Sequence, residues 1–178
     1  LHKNFGKIFT TAMVGTGLAA FYLSYVHPNL FLFTIGIFTI YLSISGYRIL
    51  ELKQIHSGQK PKLLDTVLSI LMALASCIFF YIGYQYAIVK QGFAIVFFLF
   101  GSISIRLLYI DYKAYTGKVT DTLYGLKNHI GRMTGAYIAA FTAFLVVNNT
   151  YLPGVLAWSL PGLIGGVFIN RTIRKLNK

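Results

Sequence analysis

Residues 63–89 read LLDTVLSILMALASCIFFYIGYQYAIV, with Asp65 the one charge in the run and Lys90 directly after it. A hydrocarbon core about 30 Å thick takes ~20 apolar residues as an α-helix. Strands are far shorter than this run. In lipid, a single segment satisfies its own backbone only as a helix. The stretch therefore predicts a membrane-crossing helix, long enough to tilt or to project slightly beyond the core.

The same reading extends in both directions. Apolar runs cover residues 8–26, 30–50, 91–115, 128–147 and 154–170. His27-Pro28-Asn29 separates the first two, because Pro28 lacks an N–H and restricts His27. Ser57-Gly58 and Pro61 break the polar segment 51–62. A second polar segment, 116–127, has room for a short surface helix. Asn148 to Pro153 turns the chain, and Pro161-Gly162 predicts a bend in the last helix. The predicted fold is all-α: a polytopic transmembrane helix bundle of six spans, one domain over residues 1–178. The sequence opens on Leu1, with His2, Lys3 and Lys7 as the basic flank of a helix, so a further span ahead of Leu1 is expected. No cleavable signal sequence is visible.

Composition agrees. The chain is 56% hydrophobic and 11% charged, where soluble domains carry about 25% charged residues. Its 16 Lys and Arg against 4 Asp and Glu give a net charge of +12. Such a surplus raises nucleic acid as a partner, and its placement argues against it. Every Lys and Arg except Lys90 falls at or near the two ends, the 51–62 segment or the 116–127 segment. The turns at 27–29 and 148–153 carry no charge at all. That is the positive-inside pattern, so both visible ends are expected in the cytoplasm. The predicted partners are membrane lipids and other membrane protein subunits, not nucleic acid. Each base near anionic headgroups adds about 1 kcal/mol of attraction. Tyr22, Tyr81, Tyr84 and Trp158 fall towards the uncharged turns, and Tyr47, Tyr109 and Tyr124 towards the basic side, as interfacial aromatics do.

Lipid supplies no hydrophobic drive for helix association, so small residues that let backbones approach matter. Gly131, Gly135, Ala139 and Ala143 form a four-residue-spaced ridge on the fifth helix, and Gly135→Leu is expected to disrupt the bundle more than Ile138→Leu. Ala12, Thr16 and Ala20 on the first helix, Gly36, Thr39, Ser43 and Gly46 on the second, and Asp65, Ser69, Met72 and Ser76 on the third are expected to face one another. A weak internal echo, Phe5-Gly6-Lys7 against Ile130-Gly131-Arg132, is compatible with a duplicated hairpin or with chance.

No residue set is identified as catalytic. Gly15-Thr16-Gly17 lies inside an apolar helix rather than after a strand, so it is not a phosphate loop. There is no HExxH motif, and no acid falls at the middle of a span, which disfavours a small transporter. Cys77 lies mid-span and reads as a small hydrophobe. Arg106 is the deepest charge on this map. Its plain reading is snorkelling to the interface; its functional one is pairing with Asp65, Asp111, a lipid phosphate or a quinone oxygen. Arg48 is placed to pair locally with Glu51, three residues on. His2 and His129 each precede or open a helix on the basic side. If those helices pack together, two imidazoles meet as bis-His haem ligation requires; the plain alternative is interfacial hydrogen bonding. His27 and His56 sit in connections and do not read as ligands.

The stretch 1–9, LHKNFGKIF, the helix after it and the exit Gly46-Tyr47-Arg48 resemble a bacterial family of small multi-pass membrane proteins, the domain of unknown function numbered 2306. Residues 128–140, NHIGRMTGAYIAA, are similar to that family's later His-containing helix start, and Phe141 to Asn148 with Trp158-Ser-Leu-Pro161 resembles its Bacteroidota-type version. The resemblance implies a bacterial inner (cytoplasmic) membrane and a span before Leu1, and draws attention to His2 and His129. It implies no activity. The resulting expectation is a non-enzymatic integral membrane protein without a cofactor, serving as accessory or scaffolding subunit of a larger complex. The alternative is a b-type haem or quinone-linked redox protein.

Overall fold

The computed structural model describes residues 2–52 and 54–176, without the side chain of His56. The Leu1 start, Lys53 and the last two residues of the basic tail lie outside the described residues, as does the reading of His56 as a non-ligand. Six α-helices follow one another: α1 His2–Val26, α2 Leu30–Arg48, α3 Leu63–Ile88, α4 Ala94–Tyr115, α5 Tyr124–Val147 and α6 Gly154–Lys175. The described residues contain no strand. Five of the helices are long and apolar enough to cross a membrane; α6 is the exception. It has the length, but Ser159, Pro161, four glycines and Arg171 dilute its apolar character.

Local chemistry sets the helix ends. Asn29 caps α2, its side chain accepting from the Leu32 N–H at 3.0 Å. Asp65 accepts from the Lys62 N–H at 2.9 Å and so fastens the start of α3. The turn between α3 and α4 places Lys90 at φ 56°, an uncommon left-handed position for a non-glycine residue. Gly117, at φ 68°, closes α4 with bonds from Gly117 N–H to Ala114 and from Lys118 N–H to Lys113.

The boundaries depart from the sequence reading by four or more residues at three ends. The first helix already runs at His2, six residues before Ile8. The fifth begins at Tyr124, so no separate surface helix forms in 116–127. The sixth continues to Lys175 through the basic tail. Basic side chains have flexible stems that reach water from a helix end, so charge alone does not stop a helix.

The helix α2 is central and packs on α1, α3 and α5; α3 packs on α4, α5 on α6, and α4 on α6. Core residues include Phe38, Tyr41, Leu42, Leu68, Met72, Phe79, Phe97 and Ala136. Towards the uncharged turns, rings meet edge to face: Phe31 lies 4.8 Å from Phe97 and 5.0 Å from Trp158.

A close backbone approach joins α1 to α2. A Cβ added at Gly36 would lie 2.9 Å from the Gly17 carbonyl, and one at Gly17 would lie 3.0 Å from the Gly36 carbonyl. The buried row of α1 is therefore Met13, Gly17 and Ala20. Ala12 and Thr16, expected inside, are exposed. The rows expected for α2 and α3 do face inward. On α5, Gly131 faces Ile169 and Ile173 of α6, and Gly135 faces Leu42 of α2. Both would meet an added Cβ at ordinary contact distance, 3.7 Å or more. Ala139 is half-buried and Ala143 exposed. The tight contacts of α5 lie elsewhere, at Ile138 against Gly165 and at Arg132 against Gly46.

Candidate functional site

The chemistry collects where α1, α3 and α5 begin and α2 and α4 end. Asp111 is at its centre, one turn before the end of α4. It receives one side chain from each of three other helices. Tyr41 of α2 donates to Oδ2 at 2.5 Å, Ser69 of α3 donates to Oδ2 at 2.9 Å, and Arg132 Nη2 of α5 donates to Oδ1. The Arg132 guanidinium also lies over the Tyr41 ring, 5.4 Å from its centroid. Arg132 and Asp111 are each 2% exposed. Arg132 Nε has no hydrogen-bond partner and is the only such buried side-chain atom among the described residues.

A second ion pair stands nearer the surface. Arg48 binds Asp65 through Nε at 2.6 Å and Nη2 at 2.9 Å, a two-pronged contact between α2 and α3. Its Nη1 reaches Glu51 at 3.2 Å, the local pair expected from the three-residue spacing. The pairing of Arg106 with Asp65 or Asp111, its functional reading, is not formed. Those acids are taken by Arg48 and Arg132. Arg106 is exposed, because it lies two residues, about 200° of helix, from buried Ser104.

A cleft of about 720 Å³ opens beside this network, between the start of α1, the end of α2 and the start of α5. His2 and His129 both line it. Their ring centroids are 6.4 Å apart, with the planes at 84°. His129 Nδ1 lies 2.8 Å from the Gly46 carbonyl. A carbonyl only accepts, so Nδ1 carries the proton and the neutral ring keeps a lone pair on Nε2. Ile49, Leu50, Ile55 and Leu126 supply apolar wall, and Lys3 and Lys7 line the cleft from α1. At its edge Asp121 accepts from Lys127 at 2.5 Å, and that bond holds its carboxyl below the usual carboxylate range.

The sequence pointed to the two histidines and to Arg48. Arg132 is not among the residues to which the sequence assigns a site role, although it is one helical turn from His129. The available signal was periodicity: Gly125, His129, Arg132 and Ala136 follow i, i+4, i+7, i+11 along one face. The described residues hold no group of three or more His, Cys, Asp or Glu side chains that could bind a metal ion. Cys77 is a free, exposed thiol on α3.

No family model, no curated protein and no solved structure matches the chain. Fold and site therefore define its class by themselves. It is an all-helical bundle whose helices fit a multi-pass integral membrane protein, with a buried ionic network and a two-histidine cleft at one end.

Proposed function

We propose that this chain is a non-enzymatic integral protein of a bacterial cytoplasmic membrane, an accessory or scaffolding subunit of a larger membrane assembly. The observation that carries the reading is the state of α1. This 25-residue apolar helix buries only Met13, Gly17 and Ala20. Ala12, Gly15, Thr16 and Ala19 lie bare along it. Small residues pack poorly against lipid tails and let a neighbouring backbone come close. Extraction in a mild detergent should keep the protein with other membrane polypeptides, detectable by native mass spectrometry. A chain that emerges alone from such extraction removes this reading.

In the bilayer the basic end faces the cytoplasm, supported by the placement of the Lys and Arg residues. Single cysteines replacing Asn29 or Asn149, in a Cys77→Ser background, should react with an impermeant maleimide added to sealed cells. Those replacing Gly58 or Thr120 should react only after the membrane is opened. Labelling of the Gly58 position from outside inverts the topology.

A second reading, a b-type haem or quinone-linked redox protein, is favoured by one specific observation: the approach of His2 to His129 in the cleft.

A further inference from the structure

We infer that the cleft at the basic end is a haem site in which His2 and His129 are the two axial ligands, one from α1 and one from α5. The inference rests on the second reading above and names its cofactor and ligands.

The spacing comes first. An imidazole nitrogen binds a first-row metal at about 2 Å, so two rings on one metal stand roughly 6 Å apart between centroids. Here the separation is 6.4 Å. Axial rings turn freely about the metal–nitrogen bond, so planes at 84° are an allowed arrangement. The tautomer comes second. The Gly46 carbonyl fixes the proton of His129 on Nδ1, which leaves Nε2 as the metal-binding atom. A backbone carbonyl on the remote nitrogen is the usual support of a ligating histidine.

Donor count then separates haem from a bare ion. Zinc or copper(II) held by protein is built on three or four ligands. The described residues offer no cluster of three. A porphyrin brings four equatorial nitrogens of its own, so two histidines complete the iron. The void points the same way: about 720 Å³ far exceeds what an ion needs and falls within the ~300–1,000 Å³ of small-molecule sites. Ile49, Leu50 and Leu126 give it apolar wall for a macrocycle; its acids Glu51 and Asp121 are paired with Arg48 and Lys127, which leaves Lys3 and Lys7 as the cations for two carboxylates. A quinone would use the apolar wall but has no need of two nitrogen lone pairs.

The test is titration of the purified full chain in detergent with hemin, read by absorbance. The expected result is saturation at one equivalent with a low-spin bis-imidazole spectrum. His2→Ala and His129→Ala should each lose that spectrum, and His27→Ala, on the opposite turn, should keep it. His2 is exposed, so its substitution leaves the fold intact. His129→Gln retains a donor for Gly46 and guards against misfolding of the alanine variant. Lys3→Ala with Lys7→Ala should weaken hemin binding without changing the spectrum. Absence of a low-spin spectrum, or its survival in either the His2 or the His129 variants, overturns the site. Stoichiometric zinc or copper uptake that blocks hemin and is lost in both histidine variants overturns the choice of haem. The subunit reading fails separately, when mild extraction yields the chain alone whatever its spectrum.

Discussion

Asp111→Ala is expected to lower the stability of the bundle by about 3–5 kcal/mol, the usual consequence of leaving one member of a buried ion pair without its partner. Asp111 joins α4 to α2, α3 and α5 through Tyr41, Ser69 and Arg132, so one substitution releases three contacts. The larger part of the loss comes from Arg132. Its guanidinium is buried and already has Nε unpaired. Without Asp111 its charge has no counter-ion among the described residues in contact with it. Asp111→Ala combined with Arg132→Met should recover most of the loss, because it removes the stranded charge and keeps the volume. Asp65→Ala should cost less: its partner Arg48 is 12% exposed at the side chain and keeps Glu51. Thermal unfolding in detergent, followed by circular dichroism, measures all three variants. An Asp111→Ala protein as stable as the parent would show that the four-helix network contributes nothing.

Gly36→Ala should destabilise the protein by about 1–3 kcal/mol, a typical cost of overpacking, and Gly36→Leu by more. A Cβ at position 36 would stand 2.9 Å from the Gly17 carbonyl and 2.7 Å from the Phe21 ring. The ring can swing away, but the carbonyl belongs to the backbone of α1. Relief therefore requires α1 to move off α2, its principal neighbour. Gly135→Ala is the matched control. Its Cβ meets Leu42 at 3.7 Å, an ordinary contact, and alanine favours the helix by up to about 1 kcal/mol over glycine. It should be neutral or stabilising. Equal loss in the two variants, read from the same unfolding curves, would contradict the close approach of α1 and α2.

The candidate site was half legible. His2 and His129 drew notice because each stands on the basic side at or near a helix start, and helices linked by short turns bring such starts to one end. Arg48 with Glu51 followed from local spacing alone. Asp111 with Arg132 did not, because the contact joins two helices across a connection and depends on their rotation about their axes. Arg106 looked deepest by position along the chain, yet its azimuth carries it outward. On the glycine ridge of α5, Gly131 and Gly135 do face α6 and α2, but at ordinary contact distance. Strict spacing marks a face as smooth, but it does not say which neighbour lies closest, and the tight crossing uses Gly17 and Gly36 instead.

The sequence by itself determined the all-helical class, six helices and their approximate limits, since apolar length and Pro, Gly and Asn breakers act within a segment. It also determined the segregation of charge, because that depends only on which connections carry Lys and Arg. Tertiary structure alone decided which face of each helix turned inward, that Asp111 meets Tyr41, Ser69 and Arg132, and that two imidazoles share one cleft. Those outcomes depend on helix rotation and crossing. In a chain this apolar, hydrophobic periodicity is too flat to encode them, since a lipid-facing side and a buried side are built from the same residues.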